Sequence, residues 1–322
     1  MRFSLSYKTK QFFIVLIKLS IVVGAFYFIY AKLTQNETIK FDEFLSFLDK
    51  NDVFSVKTII FLIILSGFNW FFEIIKWKYL AHSIQKISLV DAIKQSLAGL
   101  TTSLITPNRI GDYGAKALYY PKAIRKNVIL LNLLGNVAQM TVTTILGVIG
   151  LLFFVNRYSI EIDYFKVIQF ISILIIIGVF ILFVTKQKWF NTIGYTMQSF
   201  IAPLKHITIK KHAINLLLSL ARYLIFSFQF YYLLILFGVD IAYYNAMIVI
   251  TSMYFLASII PSISIFDVVI KGGSAVFLFG YLQVSEIAIL SIVTLMWLLN
   301  FTIPALFGSY FVLNFKFQKS TE

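Results

Sequence analysis

Apolar residues in this chain gather into six long runs, Phe12–Ile29, Thr58–Phe72, Val128–Val155, Phe165–Val184, Ala213–Phe237 and Ile287–Leu313, separated by short polar segments. A helix needs about 20 apolar residues to cross the hydrocarbon of a bilayer. The pattern therefore predicts six full spans in an all-α integral membrane protein, with no soluble domain large enough to house an enzyme. Arg2, Lys8 and Lys10 precede the first run as they would in a secretory signal. Bulky Tyr27, Phe28, Ile29 and Tyr30 follow it instead of a small-residue cleavage site, so the run reads as an uncleaved anchor.

Two further segments are apolar but broken. The first lies between Lys76, Lys78, Lys86 and Lys94 on one side and Lys122, Arg125 and Lys126 on the other. The positive-inside rule puts both flanks in the cytoplasm, so the chain must enter the membrane here and return. Val90–Thr106 is long enough for one helix, whereas Gly111–Tyr120 is too short to span at about 1.5 Å per residue. Pro107, Asn108, Arg109, Ile110, Gly111 and Asp112 form the break, with proline and glycine punctuating it. The expectation is a re-entrant hairpin over 90–121 with its tip in the membrane. Non-helical backbone at that depth is tolerated only when buried in protein or lining a wet cavity.

The break recurs at Pro261, 154 residues after Pro107. At the same spacing Ile87–Ala92 and Ile241–Ala246 share their first and last residues, and Asp112 and Lys116 correspond to Asp267 and Lys271 with a one-residue insertion. A single transmembrane domain, 1–322, thus divides into two repeats, 1–155 with its hairpin at 90–121 and 156–322 with its hairpin at 241–282. Each repeat holds three full spans, an odd number, so the second is predicted upside down. Its hairpin enters from outside, where Gly238, Val239, Asp240 and the stretch from Gln283 to Glu286 carry no positive charge. Inverted-topology repeats with broken helices near the midplane occur in many secondary transporters.

Composition agrees with a membrane chain: 59% hydrophobic and 13% charged, against roughly 45–50% and about 25% in soluble domains. The formal charge of +14 is mostly a topology signal. Lys186, Lys188, Lys205, Lys210, Lys211, Lys316 and Lys319 join the groups above on the cytoplasmic side, together with both termini. The stretch Lys186–His212, with Trp189, Phe190 and Tyr195, reads as an interfacial helix on anionic lipid, not as a nucleic-acid surface. Cysteine is absent, which excludes disulfides and cysteine-ligated metals. His82, His206 and His212 are scattered through cytoplasmic segments, and no P-loop, nucleophile elbow or dinucleotide fingerprint occurs. No metal, cofactor or catalytic residue is assigned.

Polar residues inside the spans fall on single helical faces. Asn132, Asn136, Gln139 and Thr143 form one; Asn215, Ser219, Arg222 and Gln229 a second; Ser66, Asn69, Glu73 and Lys76 a third. Two readings stand for the uncharged members: a shared polar cavity, or interhelical fastening worth roughly 0.6 kcal/mol per contact. Arg222 falls near mid-membrane, where a charge costs at least about 2.5 kcal/mol and marks function by default. Asp112 and Lys116, like Asp267 and Lys271, stand four apart with the acid first, the favourable order for a helical ion pair. Such a pair either neutralises a buried half-helix or places its acid beside free N–H groups to engage a charged head group.

The first break resembles the signature Pro-Gly-Arg-x-Gly-Glu of the lysylphosphatidylglycerol synthase transmembrane family, also called the flippase-like domain family. Pro107, Arg109, Gly111 and acidic Asp112 match, while Asn108 replaces a glycine. Of that family's second signature, Pro-Gly-Gly-x-Gly-x-x-Glu, Pro261 matches and Asp267 replaces the glutamate, whereas Ser262, Ile263 and Ile265 stand where glycines are expected. The resemblance covers most of the chain, including Phe72–Lys78 and Pro304–Gly308. It implies the membrane part of such proteins, which moves a lipid between leaflets, without the soluble synthase domain, since only 314–322 follow the last span.

The function expected is therefore a flippase or transporter that moves a polar-headed lipid or lipid-linked molecule across the bacterial inner membrane. Its binding set comprises Arg109, Asp112, Lys116, Arg222, Asp267, Lys271, Asn132, Asn136 and Gln139, on hairpins shaped by Pro107, Gly111 and Pro261. Charge-assisted hydrogen bonds from Arg109 and Arg222 would hold phosphate. One alternative is a membrane-embedded transferase on a lipid-linked substrate, with Asp112 or Asp267 as base; another is a non-catalytic partner of a lipid-modifying enzyme. The expected partners are a membrane phospholipid or lipid-linked substrate, with a second copy of the chain or a lipid-synthesising enzyme as protein partners and no nucleic acid.

Overall fold

The computed structural model describes residues 55–106, 109–160, 207–259 and 264–315, the backbone alone over 264–270, and a few isolated positions between 19 and 53. The described residues form helices and turns, with no strand among them. In chain order they are α1 (Val56–Ala81), α2 (Leu89–Leu104), α3 (Ile110–Leu118), α4 (Arg125–Arg157), α5 (Ile209–Leu236), α6 (Tyr243–Ile259), α7 (Ser264–Gly280), α8 (Glu286–Trp297) and α9 (Ile303–Leu313). A 3₁₀ turn, Lys122–Ile124, leads into α4, and a π-helical turn, Leu298–Thr302, joins α8 to α9.

Local chemistry sets several of these boundaries. Ser55 Oγ accepts from the Thr58 N–H at the start of α1, and Ser285 Oγ from the Ala288 N–H at the start of α8. Ser88 and Asp91 close a reciprocal capping box on α2. The π turn has its cause in Pro304, which lacks the N–H that the Asn300 carbonyl would accept in an α-helix. The ladder widens so that the Ile303 N–H bonds Leu298 O, a one-turn π-bulge of the kind that gathers at functional sites.

Four described helices are long and apolar enough to cross a membrane: Val56–Ala81, Lys122–Arg157, Ile209–Leu236 and the rod Glu286–Leu313. They mark the chain as a membrane protein, and they coincide with four of the six apolar runs. The runs at 12–29 and 165–184 fall outside the described residues, apart from isolated positions in the first. So do Pro107, Asn108 and Pro261. Of the basic stretch 186–212 only the end is described, and there Ile209–His212 open α5 instead of lying in a separate interfacial helix.

Packing is inside-out relative to a soluble protein. Along α1 the exposed face carries Ile60, Ile63, Phe68 and Phe71, while Ser66, Asn69 and Lys76 are buried. Gln95, Asn132, Asn215, Gln229 and Asn300 are buried as well. Apolar surface facing outward has no cost where the surroundings are lipid, and buried polar groups must find partners inside the bundle. The largest apolar cluster, with Phe230, Leu233, Ile250, Met253, Phe279 and Ile289, knits α5, α6, α7 and α8 together.

The element order long, short, short, long occurs twice, with α1, α2 and α3 beginning 153, 154 and 154 residues before α5, α6 and α7. Contacts follow the same exchange: α1 packs on α5, α2 on α9, and α6 on α4. Two glycines make the correspondence specific. A Cβ on Gly308 of α9 would strike Leu97 and Thr101 of α2; a Cβ on Gly147 of α4 would strike Thr251 and Phe255 of α6. Thr251 and Phe255 lie 154 residues after Leu97 and Thr101. Bare backbone lets α9 approach α2, and α4 approach α6, at the same register.

Candidate functional site

The first hairpin is held tightly at its tip. Gly111 donates its N–H to Thr106 Oγ1 at 2.8 Å, and Thr102 Oγ1 donates to Gly111 O at 2.9 Å. A Cβ at Gly111 would collide with the Thr102 carbonyl, which accounts for glycine at the turn between α2 and α3. Arg109, before α3, adopts a left-handed conformation with φ of 56°, a strain of about 1–2 kcal/mol for a non-glycine residue. Its guanidinium carbon lies 5.0 Å from the centre of the Phe301 ring, and Lys271 Nζ from α7 lies 5.4 Å from the same ring. A cation just before α3 and one on α7 therefore meet over one aromatic ring in the π turn.

Each of the four long helices carries a polar side chain at its midpoint. Asn69 stands 13 residues from Val56 and 12 from Ala81; Arg222 stands 13 from Ile209 and 14 from Leu236. Gln139 stands 17 residues from Lys122 and 18 from Arg157, and Asn300 stands 14 from Glu286 and 13 from Leu313. At about 1.5 Å per residue the four sit about 18 Å or more from either helix end. Asn69 and Arg222 are also equivalent positions, 153 apart, and they touch: Arg222 Nε donates to Asn69 Oδ1 at 3.0 Å.

From there a directed chain of side-chain amides runs inward. Asn69 Nδ2 donates to Asn300 Oδ1 (2.8 Å), Asn300 Nδ2 to Gln229 Oε1 (2.9 Å), and Gln229 Nε2 to Ser66 Oγ (2.9 Å). Trp70 Nε1 takes the Asn300 carbonyl at 3.0 Å, the group that Pro304 leaves without an α-helical donor. Donors aligned in one sense polarise each other, and the chain fixes Arg222 through Nε.

Two charged clusters flank this layer. In the first, Glu73 Oε2 lies 2.8 Å from Arg222 Nη1 and 2.7 Å from Lys76 Nζ. Two cations share one carboxylate, and the side-chain exposures are 23% for Arg222, 12% for Glu73 and 3% for Lys76. In the second, Lys116 Nζ lies 3.1 Å from Asp112 Oδ1, donates to Asn132 Oδ1 at 2.8 Å and sits 4.6 Å above the Trp77 ring. Asn132 Nδ2 closes the loop on Asp112 Oδ2 at 2.7 Å. Gly99 leaves room for the carboxylate, since a Cβ there would strike Asp112. Asp112 lies in the first turn of α3 as expected for a half-helix N-terminus, yet it bonds side chains of α3 and α4, and the Gly111 N–H goes to Thr106.

Between the clusters lies a cavity of ≈ 590 Å³, within the roughly 300–1,000 Å³ usual for ligand sites. Arg109, Lys116, Arg222 and Lys271 contribute four cations to its described wall, and Glu73 and Asp112 two carboxylates. Trp70, Tyr113, Tyr254 and Phe301 add aromatic surface. The wall thus offers an anionic group both charge and N–H donors in a setting of low dielectric.

The residues assigned to binding from sequence distribute as follows. Arg109, Asp112, Lys116, Asn136, Gln139, Arg222 and Lys271 line the cavity. Asn132 stands behind it, bridging Asp112 and Lys116. The side chain of Asp267 falls outside the described residues. Asn136 and Gln139 are also tied, to Tyr113 OH at 2.8 Å and to Ser219 O at 3.4 Å. Asn215 faces α4, donating to Leu134 O at 3.2 Å, and is a fastening between helices.

Sequence reasoning placed Glu73 on a polar face without assigning it to the binding set, and it passed over Asn300, Phe301, Trp70 and Gln95. Gln95 accepts from Trp77 Nε1 (2.7 Å) and Tyr120 OH (3.0 Å), closing the floor beneath Lys116. A signal for Asn300 existed: an amide alone in the middle of an apolar run, four residues before a proline. Among the described residues no group of three or more His, Asp or Glu is placed to hold a metal. No protein-family model, curated protein or solved structure matches the chain.

Proposed function

We propose that this protein moves a lipid or lipid-linked molecule with an anionic head group between the leaflets of a bacterial inner membrane. The observation that carries the proposal is a cavity of ≈ 590 Å³ at the mid-length of four apolar helices, with Arg222 in its wall. A charge at that depth is retained against its insertion cost when it serves a polar pathway. The head group would sit against Arg222 and beneath the ring shared by Arg109 and Lys271, with acyl or prenyl chains left in the bilayer.

The proposed architecture is six spans and two re-entrant hairpins in two inverted halves, with both termini cytoplasmic. The exchange of α2 on α9 for α6 on α4, and the matched glycines Gly308 and Gly147, support such halves. The likeness of Pro107, Arg109, Gly111 and Asp112 to the flippase-like signature supports the same activity. The transferase reading needs Asp112 or Asp267 as a base. Asp112 already has both oxygens engaged, by Lys116 and Asn132, which leaves that role without support.

The test is reconstitution into vesicles carrying fluorescent phosphatidylglycerol or a fluorescent polyprenyl phosphate, with an impermeant quencher outside. The protein makes the inner-leaflet lipid quenchable. Arg222→Gln slows this about 10–100-fold, as expected for losing a charge-assisted hydrogen bond to the head group. Folded wild-type protein that leaves the inner pool of both lipids protected overturns the proposal.

A further inference from the structure

Lys76, Glu73 and Arg222 together carry one more positive charge than negative. The triad meets at Arg222, at the middle of α5, where an uncompensated charge is most costly, while Glu73 and Lys76 stand 8 and 5 residues from the end of α1 at Ala81. Arg222 has five N–H donors; Nε goes to Asn69 and one on Nη1 goes to Glu73, and its side chain borders the cavity.

The contacts of the triad are unequal in what depends on them. Arg222 stays in place without Glu73, because Nε is held at 3.0 Å by Asn69, the head of the amide chain. Glu73 stays paired without Arg222, because Lys76, three residues along the same helix, lies 2.7 Å from the same oxygen. The Glu73–Arg222 contact can therefore open while both of its ends remain fastened.

We propose that Glu73 is a resident stand-in for the anionic group of the transported molecule. It occupies Arg222 Nη1 at 2.8 Å; it yields that nitrogen to an incoming monoanion, a phosphodiester or a carboxylate, and remains paired with Lys76. The proposal rests on the reading of this cavity as the transport site and adds a specificity-determining residue to it. A single negative charge cancels the surplus of the triad. A second negative charge would come up against Glu73, so at Arg222 itself a monoanion is the better match. Competition from Glu73 also keeps the ligand from binding too tightly to leave on the other side.

The experiment uses the full-length protein in detergent micelles, titrated with phosphatidylglycerol and, separately, with soluble dibutyl phosphate, occupancy being read by native mass spectrometry and by displacement. Glu73→Asp keeps the charge and the Lys76 partner but draws the carboxylate back from Arg222, and Glu73→Gln removes the charge. Both variants are expected to bind either probe about tenfold more tightly than wild type, while leaflet exchange at saturating lipid slows. Variants that still unfold in a cooperative transition in detergent and bind both probes no better than wild type overturn the exchange, and Glu73 is then a fastening. A gain for phosphatidylglycerol without one for dibutyl phosphate also overturns it, because the gain then lies outside the charged group. Binding of neither probe by any of the three proteins overturns the transport-site reading itself.

Discussion

The two charged clusters beside the cavity use the same residue types to opposite ends. Around Lys116 the charges balance: one carboxylate, one ammonium, an amide bridging both and an indole face beneath. Around Arg222 they do not, since one carboxylate serves two cations and part of the guanidinium borders the cavity. A balanced, fully bonded cluster behaves as a fastening, here of the half-helix α3 to α4. A cluster with a surplus charge beside a cavity is one that an incoming ion can complete.

Stability measurements can break this comparison. Lys116→Met leaves Asp112 buried without its cation and is expected to cost about 3–5 kcal/mol, read by thermal or denaturant unfolding in detergent; adding Asp112→Leu to it restores most of the loss, because no buried charge is then left alone. The reverse holds for Arg222→Met. It leaves Glu73 and Lys76 as a balanced pair but takes the donor from the buried Asn69 Oδ1, and is expected to cost about 1–2 kcal/mol, less than Lys116→Met although Arg222 sits at the centre of its helix. Equal losses for Lys116→Met and Arg222→Met would erase the distinction.

Much of this arrangement was legible in the sequence, for identifiable reasons. The interruptions between α2 and α3 and between α6 and α7 were expected because proline and glycine act locally, although Pro107 and Pro261 themselves lie outside the described residues. The spacing of 154 residues survives in the starts of α2 and α6. The polar faces of α1, α4 and α5 followed from helical periodicity, and Asp112 and Lys116 from their separation by one turn. What periodicity cannot reach is contact between distant segments. Asn132 joins Lys116 across 16 residues and Asn300 joins Asn69 across 231. Nothing local distinguishes Phe301 from other aromatic residues of an apolar run, yet it receives one cation from just before α3 and another from α7. Likewise Lys76 counted both among the flanking cations and on the polar face of its span, and only the packing of α5 on α1 makes it a member of a triad.

Transport of the kind proposed requires a polar cavity inside the bilayer at the mid-length of the long helices. The chain has no cysteine, so single cysteines report without background. Gln139 lines the cavity, and Val137, two residues away on α4 at the same depth, is 50% exposed on the outer surface. In protein reconstituted into lipid vesicles, a small water-soluble thiol reagent should modify Gln139→Cys, with phosphatidylglycerol slowing the reaction, and should leave Val137→Cys untouched. Equal rates at the two positions, or no reaction at Gln139→Cys, would contradict a hydrated site at the centre of the membrane.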